Sequence, residues 1–448
     1  MDDGHGYTNE TLLGQQADRE SSARTYPRGL PMAIDRAEGV ELVDVDGNRY
    51  YDCLAGAGTL ALGHNHPVAV DAMRETLDAK RPLHTLDITT PVKERFVDAL
   101  FDSLPDEFAD RAKVQFCSPA GTDAVEAATK LVKTATGNRS LLAFQGAYHG
   151  MTHGSLSLTG DTAAKEPIPN LMGDVHHLPY PYDYRPPLGL GGEAGEDAIL
   201  RRIEEVIENP ESGVTDPAGL FVEPVQGEGG TLPPSDDWLR GVRRITREHD
   251  VPLVVDEIQA GLGRCGTTYA FERAGITPDV VTLSKAVGGG LPLAVVLYDE
   301  RLDAWEAGAH TGTFRGNQLG MAAGRATIEY IVDEDLPGHA ADVGERFLDR
   351  LEGIGEGRDA VGDVRGRGLM LGVELVDADA EPNEYGARPT DAALAERVRS
   401  ACFDRGVVVE LGGRDGSTVR FLPPLVIERE QVDEVCDVFA EALDAATA

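Results

Sequence analysis

Short apolar runs rich in β-branched residues recur between about residue 61 and residue 335, separated by stretches whose apolar positions repeat at helical spacing. The runs at 141–144, 220–225, 253–255, 280–283 and 294–298 read as buried strands, with helices between them. That alternation predicts an α/β fold with a mostly parallel central sheet flanked by helices. One helix is closely bounded: 123–136 places Ala124, Ala127, Ala128, Leu131 and Val132 on one face, and Gly137 supplies the stop. Residues 182–217, dense in Gly, Pro and acidic residues, predict a surface excursion around one helical piece at 198–208.

The ends of the chain carry a different pattern. Residues 1–60 form an N-terminal segment with a polar lead, then strand-like pieces at 40–45 and 49–52 split by the turn Asp46-Gly47-Asn48. After 336 come an amphipathic helix, a strand-like run at 369–376, a helix near 390–404 and short runs at 407–410 and 419–421. These predict a smaller α+β C-terminal domain over 336–448, beside a large domain over 61–335. A chain of 448 residues exceeds what a single core usually serves.

Charge narrows the range of partners. Against 41 basic residues stand 77 acidic ones, a formal net charge of −36, which disfavours nucleic acid and anionic membranes. Self-repulsion of that size is relieved by concentrated salt, where the Debye length is about 3 Å at 1 M, so a halophilic setting is expected. No run approaches 18 apolar residues, and the beginning, MDDGHGYTNE, lacks an apolar signal core. The five cysteines are scattered without a CxxC pair, as in a reducing cytosol. A cytoplasmic enzyme is the expectation.

Candidate chemistry gathers where the apolar runs end. Val254-Val255-Asp256-Glu257-Ile258-Gln259 passes into Gly261-Leu262-Gly263-Arg264, which puts the Asp256 carboxylate at a strand's carboxyl end, where open α/β sheets bind ligands. A buried carboxylate there calls for a cationic partner such as a protonated ring nitrogen. Val280-Val281-Thr282-Leu283-Ser284-Lys285 leads into Ala286-Val287-Gly288-Gly289-Gly290. The chain has seven lysines, and Lys285 is the sole one after Lys165. A desolvated amine at a strand end is a nucleophile for an aldehyde.

Ser118-Pro119-Ala120-Gly121-Thr122 feeds the helix at 123–136, whose free N–H groups suit a phosphate. Leu141–Phe144 is followed by Tyr148, placed to stack on a flat heterocycle, and by His149, which, like His64 and His66, reads as organising its loop rather than binding metal. No Walker-type phosphate loop is present.

Together these motifs resemble the class III aminotransferases of fold type I, from about Tyr26 to Ile427. The resemblance implies pyridoxal 5'-phosphate (PLP) as cofactor, Lys285 as its Schiff-base lysine and Asp256 as partner of the pyridine nitrogen. Gln259 would bond the ring hydroxyl, Tyr148 would stack on the ring, and backbone at Gly121 and Thr122 would hold the phosphate. Ala120 stands where relatives often carry serine. Thr313, in Thr311-Gly312-Thr313-Phe314-Arg315-Gly316-Asn317, matches the threonine that reaches the neighbouring subunit's cofactor, which implies a homodimer.

Glu228 and Arg420 match the family's movable glutamate–arginine pair, Arg420 gripping a carboxylate of 2-oxoglutarate and Glu228 covering it when a diamino acid binds; Tyr26 is matched to the donor's α-carboxylate. The stretches 53–64, 83–87 and 314–318 look most like those of diaminobutyrate:2-oxoglutarate 4-aminotransferases. The reaction implied is ping-pong transfer of the terminal amine of L-2,4-diaminobutyrate to 2-oxoglutarate, giving aspartate 4-semialdehyde and glutamate, or the reverse. Ornithine, acetylornithine and 4-aminobutyrate remain open as donors, since one methylene shifts selectivity by only about 1–3 kcal/mol. A PLP-dependent racemase or aminomutase is the rival from another reaction class.

Overall fold

A computed structural model describes residues 6–448; residues 1–5, the start of the polar lead, lie outside it. The centre is a seven-stranded sheet. An N-terminal sheet holds β1 (Ile34–Glu38), β2 (Glu41–Asp44) and β3 (Arg49–Asp52). The central strands are β4 (Ala112–Phe116), β5 (Ser140–Phe144), β6 (Val175–Leu178), β7 (Pro217–Val222), β8 (Leu253–Asp256), β9 (Val280–Leu283) and β10 (Val295–Asp299), in spatial order β4-β10-β9-β8-β7-β5-β6. The strands from β9 through β6 pair in parallel, while β10 runs antiparallel to both β9 and β4. The mostly parallel sheet expected from the pattern is therefore present.

Burial explains why these runs form strands. Every residue of β5, β7, β8, β9 and β10 is buried, as both faces of a parallel sheet covered by helices require. The helix Gly121–Thr136 packs through Ala124, Ala127, Ala128 and Leu131, all wholly buried, and Gly137 ends it in the left-handed conformation. Its alanines let the helix axis lie close to the strands. Trp238, on the helix Asp236–Glu248, packs edge-on against Phe144 and Tyr180.

Several boundaries differ from the pattern, each for a physical reason. The 220–225 run leaves the ladder after Val222, where Glu223 and Pro224 turn the chain into the site. The helix expected at 198–208 starts earlier, at Gly192, because its two glycines hide the first turn from a propensity reading. The 407–410 run is shared between two sheets: β13 (Val407–Val408), after β11 (Val361–Arg367) and β12 (Met370–Leu375), pairs in parallel with β3 of the N-terminal sheet. Then β14 (Glu410–Gly412) pairs with β15 (Thr418–Phe421), which also borders β12. Among the described residues no helix is long and apolar enough to cross a membrane.

Candidate active site

The carboxyl ends of β5, β7, β8 and β9 open onto one cleft of about 260 Å³. Gly121, Thr122, Tyr148, Glu228, Asp256, Gln259 and Lys285, scattered over 165 positions of sequence, all line it.

Lys285 follows β9 and Ser284, and takes φ +49°. A side-chain-bearing residue in this left-handed region costs of order 1–3 kcal/mol, strain typical of functional positions. Burial holds its amine below the ordinary lysine pKa, with the carboxylates Glu228 and Glu410 acting against that shift. Among the described residues its ammonium makes no hydrogen bond or ion pair.

Asp256 ends β8, 4 % exposed, and one carboxylate oxygen accepts the Ile258 N–H at 3.1 Å. The other lies 2.7 Å from His149 Nδ1. Burial works against charge on His149, but the hydrogen bond and charge of Asp256 outweigh it and raise the imidazole pKa. His149 is thus more than a loop organiser: it is the buried partner of the strand-end carboxylate, and among the described residues its own Nε2 has no hydrogen-bond partner. Glu223 lies close by, pushed up to about 7 by burial, and accepts the Tyr148 N–H at 3.0 Å. His64 does organise its loop, 2.8 Å from Asp52, which also caps Leu54 and Ala55.

The helix N-terminus behaves as its sequence suggests. Ala120 offers no capping side chain, so the first-turn N–H groups of Gly121 and Thr122 lack intrahelical acceptors. The Thr122 hydroxyl is turned instead to Thr152 and Ser155, at 2.7 and 2.5 Å. Any side chain at 121 would stand 3.0 Å from Ile258 Cδ1, which keeps this wall open to backbone alone. Tyr148, 38 % exposed, forms the outer face.

At the far end lies a charge cluster. Arg420 is wholly buried, donating to Glu228 Oε1 at 2.8 Å and to Gln259 Oε1 at 2.7 Å. A second carboxylate, Glu410, stands 3.4 Å from the same guanidinium nitrogen and accepts the Tyr26 hydroxyl at 3.1 Å. Burial opposes charge on Glu228, yet Arg420 lowers its pKa; burial and the charge of Glu228 raise that of Glu410. Gln259 also donates to Ala57 O at 3.2 Å, and its amide adds to the lowering of the Glu228 pKa. Glu410 was not singled out from sequence; its one signal is its register opposite Arg420 in the β14–β15 hairpin.

Thr313 is the one candidate outside this arrangement. It starts an exposed turn, Thr313–Gly316, and takes no part in lining the cleft of its own chain. That turn packs against 83–88, through Thr85 N–H to Gly316 O and Gln318 N–H to Leu83 O. Among the described residues no group of three or more His, Cys, Asp or Glu side chains is arranged to hold a metal.

The family model "Aminotransferase class-III" matches residues 22–443. The diaminobutyrate–2-oxoglutarate aminotransferase of Rhizobium meliloti is 52% identical over 97% of this chain and 93% of its own length. The protein of that name from Haemophilus influenzae is 46% identical over 97% and 95%. Among solved structures, an (S)-enantioselective omega-transaminase from Thermomicrobium roseum aligns with a TM-score of 0.88 at 27% identity, covering 99% of this chain and 100% of that one. A PLP-bound amine transaminase from an uncultivated Pseudomonas species gives 0.83 at 28%, covering 96% and 97%. A strand-end lysine and carboxylate facing an uncapped helix N-terminus, on a fold shared along the whole chain, leave one conclusion: the protein belongs to the class III aminotransferases, PLP-dependent enzymes that pass an amino group from a donor to a 2-oxo acid.

Proposed function

We propose that the chain moves the terminal amino group of L-2,4-diaminobutyrate to 2-oxoglutarate, forming aspartate 4-semialdehyde and glutamate, or runs the reverse. The observation that carries this reading is Arg420, buried and held by Glu228. With Glu228 in place the guanidinium is covered and the far end of the cleft is acidic, which suits a diamino acid. With Glu228 moved aside, Arg420 is a bidentate partner for a carboxylate of 2-oxoglutarate. One site thereby serves a cationic donor and a dianionic acceptor in turn.

The cleft's donor set fits PLP. Lys285 would anchor its aldehyde carbon, Asp256 its pyridine nitrogen, Gln259 its ring hydroxyl, Tyr148 its ring face, and the N–H groups of Gly121 and Thr122 its phosphate. Bound there, PLP supplies an electron sink that makes the C–H bond beside the substrate nitrogen acidic. Lys285 Nζ, kept from easy protonation by burial, takes that proton and returns it. Asp256, steadied by His149, holds a proton at the ring nitrogen. Tyr148 and Met151 form the apolar outer wall of the cleft.

The exposed apolar side chains Leu83, Leu86, Ile88 and Phe314 surround the turn that carries Thr313. They support a homodimer in which Thr313 reaches the partner's cofactor phosphate. The charge of −36 supports a cytoplasm rich in salt.

A donor screen tests the reading. With PLP and 2-oxoglutarate, glutamate should form fastest from 2,4-diaminobutyrate and not at all when 2-oxoglutarate is left out. Preference for ornithine or 4-aminobutyrate would refute the donor. Turnover of the amino acid without any 2-oxo acid would point to isomerase chemistry instead.

A further inference from the structure

Two carboxylates share the single guanidinium of Arg420, and they share it unequally. Glu228 holds it at 2.8 Å, whereas Glu410 stands back at 3.4 Å and turns its other oxygen to Tyr26 at 3.1 Å. The cluster therefore keeps one negative charge in excess. Burial and the neighbouring Glu228 raise the pKa of Glu410, as expected of a carboxylate short of positive partners. Its charge is felt at both Lys285 and Tyr148.

Position separates the two acids as well. Glu228 belongs to the Gly227–Gly230 turn after β7, while Glu410 is fixed in register opposite Arg420 by the β14–β15 ladder. Gly412 secures that packing, since a Cβ there would lie 2.7 Å from Arg420 Cδ. A donor whose distal amine points to Lys285 presents its other end, with an ammonium and a carboxylate on one carbon, to this corner.

We propose that Glu410 is a specificity-determining residue that binds the α-ammonium of the amino donor, selecting an α,ω-diamino acid over an ω-amino acid of the same length. The inference rests on the donor reading above. Glu228 answers the acceptor by moving; Glu410 stays and reads the donor. The hydroxyl of Tyr26, a half-exposed residue, steadies the carboxylate until the ammonium arrives.

The test compares 2,4-diaminobutyrate with 4-aminobutyrate, which differ by the α-ammonium alone. The donor half-reaction of the PLP-loaded enzyme is followed by absorbance, giving a saturation constant and a maximal rate for each donor. In Glu410→Gln the constant for 2,4-diaminobutyrate should weaken roughly tenfold or more, the scale of a charge-assisted bond. The constant for 4-aminobutyrate and both maximal rates should change little, and Glu410→Asp should give an intermediate preference. If Glu410→Gln does not fold, Glu410→Asp must shift the preference the same way. An unchanged preference, or equal losses for both donors and for 2-oxoglutarate, would assign Glu410 to propping up Arg420 and overturn the inference. A wild-type enzyme that uses 4-aminobutyrate and ignores 2,4-diaminobutyrate overturns the donor reading and this inference with it.

Discussion

Strand β9 has an ionisable side chain at each end, and the two are treated in opposite ways. At its start Asp279, 1 % exposed, accepts from both guanidinium nitrogens of Arg243 at 2.7 and 3.1 Å, from Arg301, and from the Leu253 N–H at 2.8 Å. Every lone-pair direction is used, and the group ties helix Asp236–Glu248, strands β8 and β9 and the Arg301 turn together. Beyond its end Lys285 is also shielded, yet among the described residues its amine has no hydrogen-bond or ion-pair partner, and it sits on strained backbone. Five residues, four of them the buried strand β9 and the fifth Ser284, separate a saturated charge from an open one. Saturation marks structure, and an unused valence inside a cleft marks chemistry.

Exchanging the two ends in their effects is the clearest way to break that contrast. Lys285→Ala should lower amino transfer by roughly 10²–10⁴-fold or more while leaving the unfolding midpoint almost unmoved. Asp279→Ala should do the reverse: it strands the largely buried Arg243 guanidinium and costs about 3–5 kcal/mol of stability, read by denaturant unfolding, with turnover of the folded fraction unchanged. A large stability loss in the lysine variant, or a turnover defect in the aspartate variant at full folding, would erase the distinction.

Two smaller effects sharpen it. Glu228→Gln weakens the cover over Arg420, so the donor half-reaction should slow by roughly tenfold while the 2-oxoglutarate half-reaction holds or improves; equal slowing of both would deny that Glu228 moves. Acid, compared between the wild type and Asp279→Asn, tests the Asp279 end. Burial opposes its charge, but Arg243 lowers its folded pKa below the unfolded value. Its contribution is thus complete above the unfolded pKa of about 3.9 and is lost as pH falls through the lower folded value. The wild type should lose stability over that acid window more steeply than Asp279→Asn, measured by unfolding at stepped pH.

The same contrast explains what the sequence could disclose. Asp256 and Lys285 stand out because each closes a buried run just before a glycine-rich loop, so strand, carboxylate or amine, and loop fall within a dozen residues. The central strands β5, β7, β8, β9 and β10 were legible for the same reason, being unbroken apolar runs. The exposed β1, with Ile34-Asp35-Arg36-Ala37-Glu38, and the interrupted β11, with Val361-Gly362-Asp363-Val364-Arg365-Gly366-Arg367, carry no such signal. His149 meets Asp256 across 107 positions, and Arg420 meets Glu228 across 192. The second pair came from family likeness; the first, like Glu410, came from tertiary pairing alone. A run such as 407–410 cannot announce that its halves enter different sheets, because that division is decided by β3 and β15.

Borohydride reduction of the PLP-loaded enzyme, followed by peptide mapping, tests the assignment of Lys285 most directly. Cofactor mass should appear on the peptide containing Lys285 and on no other, and should vanish in Lys285→Ala. Label on any of the six other lysines, or label that persists in the variant, would contradict it.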